Sequence, residues 1–162
     1  MKFKEDLVPA GYGEKWDDHS FGQVVGIVIF HNSFSLSSLR FLCVKDNIEQ
    51  MCERHGKSVG KCEMIMLDYP NEFLIGVHGY YYDDLDIAIR SITFVTNNAT
   101  YGPFGLEKTV GLTAFGFQFL GKGPRSWISG FYGTVYKGYL ESLGVYVQTP
   151  PASITKRVFL GR

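Results

Sequence analysis

The sequence predicts an all-β fold with threefold internal pseudosymmetry, and three observations carry that prediction. First, Leu36-Ser-Ser-Leu-Arg-Phe-Leu42, Ile89-Arg-Ser-Ile-Thr-Phe-Val95 and Leu140-Glu-Ser-Leu-Gly-Val-Tyr146 share one pattern: apolar, any, Ser, apolar, any, apolar. Its serines, Ser38, Ser91 and Ser142, recur about fifty residues apart, and a fixed period of that size marks stacked or radially arranged units. Second, each copy follows a matching apolar strand: Val25-Gly-Ile-Val-Ile29, Ile75-Gly-Val-His78 and Ile128-Ser-Gly-Phe131. The unit is therefore a two-strand hairpin used three times. Third, aromatics make up 15% of the chain and glycine 19 of its 162 residues, a balance that favours strands joined by turns.

Taken in order, residues 1–10 read as a polar, weakly ordered lead-in. Gly11 to His19 is rich in turn residues; Trp16 is its apolar anchor, and Asp17 and Asp18 are placed to accept local backbone N–H bonds. The first hairpin runs from Phe21 to Phe30 and from Leu36 to Val44, around a loop through His31-Asn-Ser33. Lys45-Asp-Asn47 turns the chain, and Gln50 to Lys61 reads as irregular, with Gly56 and Gly60 as breakers. Asn47–His55 has too few apolar positions for a helix. Cys62–Asp68 is a strand and Tyr69–Glu72 a turn. The second hairpin spans Phe73 to Asn97, with Tyr80-Tyr-Tyr-Asp-Asp84 at its tip. Thr100–Gly105 reads as a compact turn, and Thr113–Leu120 as a strand carrying Phe115, Phe117 and Phe119 on one face. Gly121–Pro124 leads into the third hairpin. Pro150 and Pro151 end the ladder, leaving residues 149–162 as a tail or linker.

Composition narrows the function classes. Sixteen basic and sixteen acidic side chains leave no net charge, so a nucleic-acid partner is not expected. No apolar run is long enough to span a bilayer, and the N-terminus lacks the apolar core of a signal peptide. A cytoplasmic or nucleocytoplasmic location is expected. Cys43 fits a buried thiol; Cys52, His55 and Cys62 lack the pair spacing of a zinc site, and neither metal nor cofactor is expected. No nucleophile, base and orienting partner can be named together, so enzymatic activity is not expected.

The motifs Trp16-Asp-Asp18, Leu67-Asp-Tyr-Pro-Asn-Glu72, Val77-His-Gly-Tyr80, Arg90-Ser-Ile-Thr-Phe94, Thr100–Gly105 and Ile128–Phe131 with Leu143–Tyr146 occur in one order over residues 11–148. In that order they resemble the jacalin-related lectins, plant carbohydrate-binding proteins. The resemblance implies a β-prism of three four-stranded Greek-key sheets. It also implies one sugar site at an end of the prism, between a glycine-rich N-terminal loop and the tip of the third hairpin, with the second tip alongside. There a G-x-x-x-D motif reads sugar hydroxyls with backbone N–H donors and an Asp acceptor, while an aromatic covers the C–H face.

Carried onto this chain, the site comprises Gly13, Asp86, Ile87, Lys137, Gly138, Tyr139, Leu140 and Glu141, with Tyr80, Tyr81, Tyr82 and Tyr136 as flanking recognition residues. Two positions depart from the motif: Lys137 stands at its glycine and Glu141 at its aspartate, with Ser37 and Arg90 in the place of Glu141 in the first and second repeats. The loop Thr134–Gly138 also looks one residue longer than usual. A glutamate keeps both acceptor oxygens but moves them by more than about an ångström, enough to matter to a hydrogen bond. In the family, galactose specificity accompanies a cut that frees an α-amino group at the loop glycine. Gly13 lies in mid-chain, so mannose/glucose-type glycans are the expected partners, with self-association into a homo-oligomer. The alternative is a lectin-fold module that binds protein partners through a weakened or lost sugar site.

Overall fold

The computed structural model describes residues 1–84, 87–120 and 125–150, and among them every regular element is a strand. Three antiparallel sheets form, each built on one of the repeated hairpins. The first pairs β3 (Gln23–His31) with β4 (Leu36–Lys45). Outside them lie β5 (Ile48–Met51) next to β4 and β7 (Lys61–Met66) next to β3. The two-residue β6 (His55–Gly56) also pairs with β4. The second sheet has β8 (Leu74–Asp83) and β9 (Ile87–Thr96) at its centre, flanked by β11 (Thr113–Gln118) and β10 (Thr100–Gly105). The third has β12 (Trp127–Tyr136) and β13 (Tyr139–Gln148), flanked by β2 (Glu14–Asp17) and β1 (Lys2–Val8).

Matching positions in the three sheets explain one correction. In the first two repeats, the strand flanking the later central strand follows it in sequence, as β5 follows β4 and β10 follows β9. In the third repeat that place is taken by β1, from the other end of the chain, paired from Lys2↔Gln148 to Val8↔Leu143. Residues 1–10 are thus not a weakly ordered lead-in. They hydrogen-bond the edge that β13 would otherwise leave open; Thr149 N still donates to Met1 O at 2.8 Å, and Pro150 beyond it cannot donate to a ladder. All but the last two residues of β1 are exposed, so no alternation announced it.

Three further expectations are corrected. Gln50 and Met51, read as the start of an irregular stretch, belong to the strand Ile48–Met51, because Asp46 and Asn47 take positive φ (52° and 62°) and form a tight hairpin turn. Thr100–Gly105, read as a turn, is β10, with cis Gly102–Pro103 and a bulge between Tyr101 and Phe104. Tyr80–Tyr82 lie within β8 and not at a tip: Tyr81 is buried against Phe115, with ring centroids 6.4 Å apart. The alternation in Thr113–Leu120 holds, with Phe115 buried and Phe117 and Phe119 packed on the core. Gly121–Pro124 and residues 151–162 lie outside the described residues.

The core sits where the three sheets face one another. Each supplies one phenylalanine at no more than 1% exposure: Phe41, Phe94 and Phe131. Phe41 stacks on Phe131 at 4.2 Å, and Phe94 meets both edge-on at 6.5 and 6.2 Å. The buried Glu72 carboxylate accepts from Thr96 Oγ1 (2.7 Å), the Tyr101 hydroxyl (2.8 Å) and Asp68 N (3.0 Å). Burial alone would push its pKa up; the three donors outweigh that and hold it below the ordinary range.

Phe131→Ala is expected to cost about 3–5 kcal/mol, read as a lower urea midpoint, because the two facing rings cannot close the cavity. The Glu72 contribution is present above the unfolded-chain carboxylate pKa, near about 4.3, and is lost as pH falls through the lower folded value. Glu72→Gln is therefore expected to lower the melting temperature at neutral pH and to flatten its decline below about pH 4.

Candidate functional site

The third hairpin closes with a two-residue turn, Lys137 (φ 52°) and Gly138 (φ 82°), so Tyr136 pairs with Tyr139 and Val135 with Leu140. Positive φ at both turn residues is what a right-twisting hairpin needs. Thr134–Tyr136, read as part of a loop, are the end of β12, and the tip itself is a tight turn. Below it the register shifts: Thr134 faces Ser142, and Glu141 is the extra residue of a β-bulge. Bulges re-aim side chains. The other repeats bulge at the same point, leaving Ser37 out between Phe30↔Ser38 and His31↔Leu36, and Arg90 out between Tyr80↔Ser91 and Tyr81↔Ile89. Ser37, Arg90 and Glu141 are thus structurally equivalent, as their alignment predicts.

Glu141 does not present its acid to solvent. It is 2% exposed, and its carboxylate is held from three sides. Oε1 accepts from Gly13 N at 2.8 Å and from Thr134 Oγ1 at 2.9 Å, and Oε2 accepts from Tyr12 N at 3.1 Å. Because the single hydroxyl proton of Thr134 goes to the carboxylate, Ser142 donates in the 2.6 Å Thr134–Ser142 contact. The glycines of the loop are sterically required. A Cβ on Gly11 would stand 2.5 Å from Oε2, and one on Gly13 would stand 2.5 Å from Val135 O and 2.7 Å from Oε1. The Glu141 carboxylate thus reaches the N-terminal loop and is met there by two backbone N–H donors, with the Thr134 hydroxyl as a third.

The other predicted residues divide. Tyr136, Lys137, Gly138 and Tyr139 are gathered around this corner, with Tyr12 (88% exposed) 6.4 Å from the Tyr136 ring. Lys137 lays its ammonium over the Tyr136 ring at 5.1 Å. Leu140 is core. Ile87, at the second tip, is half-buried beside Tyr82, whose hydroxyl donates to Asp84 at 3.1 Å; that bond to an anion pushes the tyrosine pKa up. Tyr81 is buried, Tyr80 is half-buried on β8, and Asp86 lies outside the described residues.

The Trp16–Asp18 motif serves architecture. Asp17 accepts from the Tyr146 hydroxyl through both oxygens at 2.8 Å and from His19 N at 2.8 Å. Burial, then this bond, lifts Tyr146 to about 12. Asp18 is not a local acceptor as expected, but pairs with His55 Nε2 at 2.9 Å, and Trp16 stacks on that imidazole at 3.6 Å. Sequence reasoning missed Tyr12, Thr134 and Ser142. The signal for the hydroxyl pair was strand alignment, since Thr134 and Ser142 face each other across the hairpin.

The model of the jacalin-like lectin domain matches residues 8–146. This chain belongs to the jacalin-like lectin family. Members of that family bind carbohydrate and are not enzymes. The Arabidopsis thaliana protein RESTRICTED TEV MOVEMENT 1 is 34% identical over 151 residues, covering 90% of this chain and 83% of that one. Jacalin-related lectin 2 of Arabidopsis thaliana is 32% identical over 142 residues, covering 82% and 76%. Among solved structures, a mannose-specific jacalin-related lectin from Morus nigra in complex with mannose superposes with a TM-score of 0.78 at 26% identity, over 91% of this chain and 95% of that one. Single-chain recombinant jacalin, at 24% identity and the same score, matches in fold.

Removing the Glu141 carboxylate is expected to free the loop. Glu141→Ala should lower stability by about 2–3 kcal/mol in denaturant titration, since charged hydrogen bonds to a buried group are lost. Amide exchange at Tyr12 and Gly13 should rise, while exchange at Ile27 and Phe94 stays slow.

Proposed function

We propose that this jacalin-like lectin recognises mannose/glucose-type glycans at the end of the prism where the glycine loop meets the third hairpin. The observation that carries this reading is Gly13. It is an internal residue whose N–H points into the corner, not a free amino terminus, the arrangement that the family associates with mannose and glucose. The mannose-specific relative in complex with mannose supports it by fold and by 26% identity. The aromatic edges of Tyr12, Tyr136 and Tyr139 offer cover for a sugar C–H face, and the Lys137 ammonium offers donors to hydroxyls. With both oxygens of Glu141 engaged, a single hexose gains little from the acid. Affinity is expected in the millimolar range, about 4 kcal/mol, with avidity supplied by self-association.

A second reading is favoured by one observation: Tyr12 N, Gly13 N and the Thr134 hydroxyl already fill Glu141. On that reading the corner is an internal latch and the lectin fold serves a protein partner. Calorimetric titration of the wild type and of Glu141→Asp with methyl mannoside, glucoside and galactoside separates the two. The shorter acid should withdraw from the loop amides, and mannoside should then bind about tenfold more tightly than to the wild type, with galactoside weakest. Silence from both proteins toward all three sugars leaves the partner-binding reading, and a galactoside preference overturns the specificity.

A further inference from the structure

The second repeat places a cation where the third places its acid, and a cavity has formed around it. Arg90, the bulge residue equivalent to Glu141, lines a cavity of about 390 Å³ where the three hairpins converge. Leu36, Ile87 and Ile89 give it an apolar floor, and the Tyr82, Tyr136 and Tyr139 side chains stand around it with Lys137. A neighbouring cleft shares Ser35 and Tyr139 with it and adds Lys57. Each tyrosine carries one cation: Arg90 lies 5.7 Å from the Tyr82 ring, Lys137 5.1 Å from Tyr136, and Lys57 5.5 Å from Tyr139. Among the described residues none of these three cations forms an ion pair, and no carboxylate lines either space. Asp84, at the same hairpin end as Tyr82, accepts from the Tyr82 hydroxyl.

A chain with no net charge thus gathers three cations, none in an ion pair among the described residues, with three aromatic rings and an apolar floor at one end of the prism. Rings and floor suit the C–H face of a pyranose, and a guanidinium fork suits a planar anion. A cavity of this size is within the range of small-ligand sites. We infer that this cavity binds an acidic saccharide, a pyranose with an anionic group at C6, with Arg90 and Lys137 reading the anion and Tyr82 and Tyr139 flanking the ring. The inference rests on glycan recognition at this end of the prism and shares Lys137, Tyr136 and Tyr139 with the neutral-hexose corner, whereas Gly13 and Glu141 do not line the cavity.

The test is calorimetric titration of the full chain at low salt with methyl glucuronide, glucose 6-sulfate and methyl glucoside, which share one ring. At least one anionic sugar is expected to bind about tenfold more tightly than the glucoside, and to lose that advantage as salt rises. Which of the two binds identifies the anion as carboxylate or sulfate ester. Arg90→Gln should abolish the advantage, Arg90→Lys should keep part of it, and Lys137→Gln, on an exposed turn, should reduce it without touching the fold. Equal binding of all three sugars overturns the inference, as does an advantage that survives both Arg90→Gln and Lys137→Gln. A tri-glutamate peptide that binds as tightly as the glucuronide overturns the saccharide assignment. A silent glucoside beside a bound glucuronide would sink the neutral-hexose reading alone.

Discussion

Three phenylalanine rings meeting on one axis hold this molecule together. Phe41, Phe94 and Phe131 come from three different sheets, and each packs on the other two. No sheet here has a second layer of its own. Each must bury its apolar face against the other two, so the sheets fold as one unit or lose their core together. The paired strands of each repeat therefore run apolar on their inner faces, and function is confined to the hairpin ends and outer faces.

The same symmetry fixes what those ends can present. A bulge at one register in all three hairpins turns out Ser37, Arg90 and Glu141 at equivalent places. The backbone solution is shared, and the side chain decides the chemistry: a hydroxyl, a cation beside an open cavity, and an acid drawn into a loop. Glu141 differs from an aspartate by one methylene, and that length is enough to bring Tyr12 N and Gly13 N within hydrogen-bond reach.

The prism was legible because its signal is repetition: the serine pattern and the preceding apolar strands mark the six central strands. The peripheral strands were harder to see. β1 and β5 are almost wholly exposed, so nothing alternates, and β10 carries a Gly-Pro pair that reads as a turn. They exist because a central strand next to them needs its hydrogen bonds met, a demand visible only in three dimensions. At the site, the gathering of Gly13, Tyr136, Lys137, Gly138, Tyr139 and Glu141 was legible from position in the repeat. The inward turn of Glu141 was not, because a bulge at residue 141 and a two-residue turn at 137–138 are register properties rather than composition. The Asp18–His55 pair joins positions 37 residues apart and leaves no local pattern.

The contact between Glu141 and the glycine loop has a consequence for how this corner can change over time. With a Cβ at residue 11 excluded by the acid, one at residue 13 excluded by the acid and by Val135 O together, and the acid stranded if the loop retreats, neither side can drift alone. Loop and bulge must diversify as a pair. A lineage that shortens residue 141 makes room for a side chain at residue 11, while residue 13 stays glycine because Val135 O stands 2.5 Å from its Cβ position.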